Sequence, residues 1–157
     1  MTLLALDGGK NIGWALFDHA GGDIGRGVVL HEDFFAYDKD WGKNHFTVTM
    51  DFMGDMHVSW ADHDIDRIVV EGIRHNPNIA QGGSQRWESQ VEGAVRILHA
   101  VTNIPITVQP PNILPVAMTL NGYEKPLTRT GNPKHLPDED AAWLHGRYFL
   151  IADGVLE

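Results

Sequence analysis

The apolar run Leu3-Leu4-Ala5-Leu6 ends in a single carboxylate, Asp7, and Gly8-Gly9 then turns the chain. From Asn11 to Asp18 an alternating run returns beside it, with Ile12, Trp14 and Leu16 on one face and Ala15 and Phe17 on the other. This period of two predicts a β-hairpin, strands 2–7 and 11–18, that lifts Asp7 out of the end of a buried strand. A charge in that position is costly unless something binds it. A metal ion is one partner; the backbone N–H groups of the Gly8-Gly9 turn are the other.

The remaining elements follow in order. After Gly21-Gly22, the run from Gly25 to Ala36 predicts a third strand. Phe46, Met50, Met53, His57 and Trp60 recur at helical spacing, which predicts a helix over 43–62 with an apolar stripe. The segment 66–71 reads as a short buried strand, and its apolar run also ends in a carboxylate, Glu71. A helix over 84–101 follows, with Val91, Val95, Leu98 and Val101 turned inward, then a fifth strand over 104–108. Residues 112–120 predict a brief helix with Pro115 in its first turn, the one place a helix accepts proline. A polar loop over 121–135 leads to a last helix over 138–152, whose opening acids Asp138, Glu139 and Asp140 suit the positive end of the helix dipole. Three strands, helix, strand, helix, strand, helix is an α/β order, and it predicts one five-stranded mixed sheet, three strands antiparallel and two parallel, flanked by helices.

Composition bounds the chemistry. At 157 residues the chain fits one domain with a real core. With no cysteine, any metal must be held by oxygen or imidazole, which favours hard cations such as Mg2+ or Mn2+. No apolar run approaches the roughly 20 residues of a membrane span, and the N-terminus lacks a secretory leader pattern, so a cytoplasmic location is expected. The net charge of −9 argues at first against nucleic acid, yet the charge is unevenly spread. Residues 1–71 carry 5 Lys/Arg against 13 Asp/Glu, residues 72–135 carry 6 against 3, and residues 136–157 carry 1 against 5. The middle segment, with Arg74, Arg86, Arg96, Lys125, Arg129 and Lys134, is a basic stripe able to face phosphates, or else ordinary surface.

If the strands ending in Asp7 and Glu71 lie adjacent and parallel, both carboxylates emerge at one sheet edge, where Asp138 or Asp140 can join them. Carboxylates crowded in this way repel one another and make sense around divalent metal.

In this order the motifs resemble those of the RuvC-like Holliday-junction resolvases of the RNase H-like superfamily. Three stretches carry the resemblance: Leu4-Ala5-Leu6-Asp7-Gly8-Gly9 with Gly13-Trp14-Ala15; Ile68-Val69-Val70-Glu71 with Gln90-Val91-Glu92-Gly93-Ala94; and Asp138-Glu139-Asp140-Ala141-Ala142. The resemblance implies an RNase H-like fold. It also implies a homodimeric endonuclease of DNA recombination and repair that nicks four-way junctions by two-metal phosphodiester hydrolysis. Carried over by position, Asp7, Glu71 and Asp140 would hold two Mg2+ ions, or Mn2+ in their place, with Asp138 as a fourth ligand. His135 or Lys134 would take the place of a basic residue near the last acid.

The sequence departs from that pattern in three places. Asp138 and Asp140 are two residues apart, about 200° around a helix, so only one can be a direct ligand if both are helical. Ile73 and Arg74 stand where relatives carry an aromatic wedge, which leaves Trp87 as the nearest ring able to stack on an opened base pair. The segment 112–120 has no Lys or Arg, so DNA-strand contacts are expected on Arg74, Arg86, Lys125, Arg129 and Lys134. A compact acidic form of this kind suits a viral or phage enzyme with broad branched-DNA specificity. Competing readings are an RNA–DNA hybrid nuclease of the same fold, a non-catalytic DNA- or partner-binding domain, and a nucleotide-binding hairpin of the actin-like type; the last needs a second copy of the fold.

Overall fold

The computed structural model describes residues 1–9, 11–30, 64–72, 83–127, 129–130 and 135–157, with 83–87 described as backbone alone. The helix expected over 43–62, and the part of the third strand expected over 31–36, lie outside the described residues.

Five strands form one sheet: β1 (Leu3–Gly8), β2 (Ile12–Phe17), β3 (Asp23–Val29), β4 (Arg67–Glu71) and β5 (Ile106–Gln109), in the spatial order β3-β2-β1-β4-β5. The hairpin pairs β1 with β2 antiparallel, Asp7 opposite Gly13, and β2 pairs antiparallel with β3. β4 lies parallel to β1, with Leu6 beside Val70, and β5 parallel to β4, with Glu71 beside Gln109. The two acid-terminated strands are therefore neighbours running the same way, and their carboxylates share one edge.

Alternation along the strands decides which face each side chain meets. Leu4, Leu6, Ile68 and Val70 pack on one face with Val91 and Val95 of α1 (Gly83–Thr102). Leu3, Ala5 and Val69 pack on the other face with Ala142, Phe149 and Leu150 of α3 (Asp138–Ala152). Asp7 and Glu71 continue the second series, so both belong to the α3 face. A 3-10 turn, Pro111–Ile113, leads into α2 (Leu114–Leu120), where Pro115 occupies the first turn as expected. α2 packs on α3 through Ala117, Leu136, Ala141 and Leu144.

Three expectations are corrected at element ends. β3 starts at Asp23, not Gly25, because Phe17 pairs with Asp23 across a bulge and the Asp23 carboxylate accepts Trp143 Nε1–H at 2.9 Å. β5 starts at Ile106, not Ile104, because Ile104 serves the turn: its carbonyl bonds His99 Nδ1 and its N–H donates to Thr102 Oγ1. Val101 points outward, 77% exposed, since ten residues at about 100° each carry it some 80° off the line of Val91. Among the described residues no helix is long and apolar enough to cross a membrane.

Candidate active site

At the C-terminal edge of β1, β4 and β5 the α3 face presents a row, Asp7, Glu71 and Gln109, one residue from each strand. The start of α3 closes over this row because Gly13 has no side chain. A Cβ there would lie 2.0 Å from the Asp138 carbonyl oxygen and 2.9 Å from Glu139 N. Further along, Gly146 lets α3 sit against the hairpin, where a Cβ would meet the Phe17 ring at 2.2 Å. Two glycines thus set the approach of α3, and with it the distance of Asp138 from Asp7.

The side chains of Asp7 and Glu71 lie close enough to interact directly. The Asp7 carboxyl is held well above the usual carboxylate range, first by burial, then by that contact and by the charges of Glu71 and Asp138. Burial also raises Asp138, against the opposing pull of a hydrogen bond to Asn11 and the nearby His135. A further acid joins them from α1: Glu88 is raised by burial and by the charge of Asp7. These four carboxylates, with Lys125 and His135, line a cavity of about 700 Å³ whose opposite wall is apolar, built from Pro111, Leu114, Pro115, Met118, Leu136 and Ala141.

Beneath the row lies His145, fully buried on α3. Its Nδ1 is 2.8 Å from Gln109 Oε1 and its Nε2 3.4 Å from Glu71 Oε2. Burial pushes the imidazole pKa down to about 4, although the charge of Asp7 pulls the other way.

The two acids of the last helix lie in different surroundings. Asp138 lines the cavity; Asp140, expected as a direct ligand, points away from it. The Asp140 carboxylate accepts the Tyr123 hydroxyl at 2.5 Å and pairs with Arg26 at 3.0 Å. Burial and this bond lift the Tyr123 phenol to about 12. Arg26 and Arg147 each lie 5.6 Å from the Trp143 ring centre, and Arg147 also donates to Asn121. Asp140 therefore belongs to a polar clasp that ties α3 to β3 and to the turn after α2.

Of the residues expected to touch DNA, Lys125 lines the cavity and Arg129 lies in a turn beyond it. Arg74 and Lys134 lie outside the described residues, as do the side chains of Arg86 and Trp87. His135 is exposed at the cavity mouth, its Nδ1 2.9 Å from the Leu136 carbonyl. Glu88, Gln109 and His145 were not expected. His145 falls seven residues after Asp138 on the stripe Asp138, Ala142, His145, Phe149, and Glu88 one turn before Val91, so helical spacing held the signal for both.

Asp7 and Glu71 form a half-buried pair of neighbouring carboxyls, and His145 Nε2 is a buried polar atom with no hydrogen-bond partner. Oxygen-rich, anionic and short of positive charge, this donor set fits a divalent cation. Among the described residues no three His, Asp or Glu side chains already converge on one point. A cation held here would take its other positions from water or phosphate oxygens, as Mg2+ commonly does.

No protein-family model matches the chain, and no curated protein matches its sequence. Solved structures do match its fold. The Thermus thermophilus RuvC structure aligns with a TM-score of 0.59 at 11% identity, covering 99% of this chain and 98% of that one. T. thermophilus RuvC in complex with Holliday junction substrate aligns with a TM-score of 0.60 at 12% identity, covering 99% and 97%. The yeast mitochondrial Holliday junction resolvase Ydc2 aligns with a TM-score of 0.50 at 14% identity, covering 96% and 80%. The sheet order, the mixed strand directions and the flanking helices of this chain are those of the RuvC-like, RNase H-like fold.

Proposed function

We propose that the chain is a metal-dependent endonuclease that resolves four-way DNA junctions and accepts other branched DNA. The observation that carries this reading is the pairing of Asp7 and Glu71 at the ends of adjacent parallel strands, with Asp138 brought over them in an open cavity. Alignment over nearly the whole of RuvC, including a RuvC structure holding a Holliday junction, supports the substrate class.

Asp7, Glu71 and Asp138 would hold Mg2+ or Mn2+, which when bound supplies Lewis-acid activation of water and stabilises the leaving oxygen. The protein's own contribution is geometric and electrostatic. The sheet edge fixes two carboxylates, the Asn11 bond orients Asp138, and His135 at the mouth is placed to orient a water or offset charge on phosphate. Asp7 and Glu71 would hold the metal as carboxylates, so binding is expected to strengthen as pH rises. Lys125 supplies positive charge inside the cavity, and Arg129 would extend it outward. Two symmetric nicks call for two copies of the site, so a homodimer is part of the proposal.

The test is cleavage of a labelled four-way junction beside linear duplex and RNA–DNA hybrid, with Mg2+, Mn2+ or chelator. Paired, metal-requiring nicks confined to branched DNA support the reading. Preferential cutting of the hybrid strand would transfer the site to RNA hydrolysis, and junction binding without any cleavage would make this a binding domain.

A further inference from the structure

We propose that His145 is a nitrogen ligand of the metal centre, so that the centre takes a transition cation of the Mn2+ class through imidazole and carboxylate together. The proposal rests on reading the acid row as a divalent-cation site and adds a donor and a metal preference to it.

His145 is fully buried, and both its ring nitrogens face side chains rather than water. Gln109 Oε1, 2.8 Å from Nδ1, can only accept, so the ring proton sits on Nδ1. Nε2 then carries a lone pair. It has no hydrogen-bond partner among the described residues, and it faces Glu71 Oε2 at 3.4 Å. Two lone-pair atoms facing each other call for a proton or a cation between them, and a divalent cation shared with the acid row would fill that place. The 3.4 Å between Nε2 and Oε2 is short enough for both atoms to serve one ion.

The surroundings match a metal-bound histidine. A ligating imidazole normally donates its other N–H to a fixed acceptor, which sets tautomer and ring orientation. Gln109 does this from β5, and the register places it beside Glu71. The helix stripe that carries Asp138 also carries His145, two turns further on, so one helix brings an acid to the cavity and an imidazole to Glu71 behind the cavity wall. Imidazole nitrogen favours Mn2+, Co2+ or Zn2+ over Mg2+, which prefers oxygen throughout.

The test uses the full chain, stripped of metal and titrated with Mn2+, read by pulsed electron paramagnetic resonance for 14N coupling to the bound ion. Since His135 lines the cavity and could itself supply nitrogen, wild type, His135→Ala and His145→Gln are compared. Coupling in wild type and His135→Ala, lost in His145→Gln, supports the assignment. In His145→Gln the Mn2+ Kd should rise about tenfold or more while the Mg2+ Kd moves less than about threefold. Bound Mn2+ without 14N coupling in His135→Ala, or equal loss of both metals in His145→Gln, overturns the assignment while leaving the acid row as a metal site. Failure of wild type to bind Mn2+ at all overturns both. Should His145→Gln not fold, Gln109→Met keeps the imidazole and frees its Nδ1. A weakened Mn2+ affinity with altered coupling then supports the assignment, and an unchanged pair of values overturns it.

Discussion

Substituting Gly13 by alanine tests whether α3 is held over the acid row by close backbone approach. The added Cβ would lie 2.0 Å from the Asp138 carbonyl oxygen and 2.3 Å from its carbonyl carbon, where real contacts do not fall below 3.0 Å. The first turn of α3 must therefore retreat by about 1 Å, carrying Asp138 from Asp7; a misplacement of that size costs roughly 100-fold in cleavage rate. Overpacking of this kind costs about 1–3 kcal/mol, which lowers Tm by roughly 2–12 °C for a chain of this length. Gly154→Ala is the control. Its φ of +74° makes alanine strained, at about 1–2 kcal/mol, but nothing lies within 4 Å of the new Cβ and the position is remote from the cavity. Thermal unfolding and single-turnover junction cleavage are measured on both variants. Comparable losses of Tm, with cleavage lost only in Gly13→Ala, are expected. Wild-type cleavage by Gly13→Ala, or equal loss of cleavage in both variants, would refute the role given to that approach.

Three other outcomes can be checked. Asp138→Asn should abolish cleavage with little change in Tm, whereas Asp140→Asn should keep cleavage and lose roughly 1 kcal/mol of stability through the Tyr123 and Arg26 contacts, read by denaturant titration. Asp7 has a folded pKa above its unfolded 3.8, so in chelator it destabilises the fold increasingly as pH rises through that raised pKa. Asp7→Asn should therefore raise Tm at neutral pH, by a margin that vanishes near pH 4. His145 has a folded pKa near 4 against 6.5 unfolded, so acid favours the unfolded chain between those values. The stability of wild type relative to His145→Gln should fall by roughly 3 kcal/mol from pH 7 to pH 4, as followed by unfolding across that range.

Much of this fold is legible in the order of residues, for specific reasons. β1, β2 and β4 alternate or run apolar without interruption, and in β1 and β4 the acid falls at or one residue before the strand end. The last helix is bounded by Pro137 and by residues near Gly154 that cannot continue it. Which helix acid faces the site is not legible. Asp138 and Asp140 differ only in phase, and that phase is fixed by a contact to Gly13, more than a hundred residues away in the chain. Arg26, which with Tyr123 claims Asp140, is likewise more than a hundred residues away. His145 reads as core histidine until β5 supplies Gln109 on one side and β4 supplies Glu71 on the other. Glu88 reads as surface on a helix whose first turns happen to reach the cavity.

Whether the acid row hydrolyses phosphodiester bonds by holding metal is decided with Glu71→Gln on one labelled four-way junction. Binding is measured in Ca2+ and cleavage in Mg2+. Junction affinity near wild type and no cleavage above the chelator background are expected. Cleavage within about tenfold of wild type, less than the loss expected for removing a group that supports the metal, would contradict hydrolysis by the acid row.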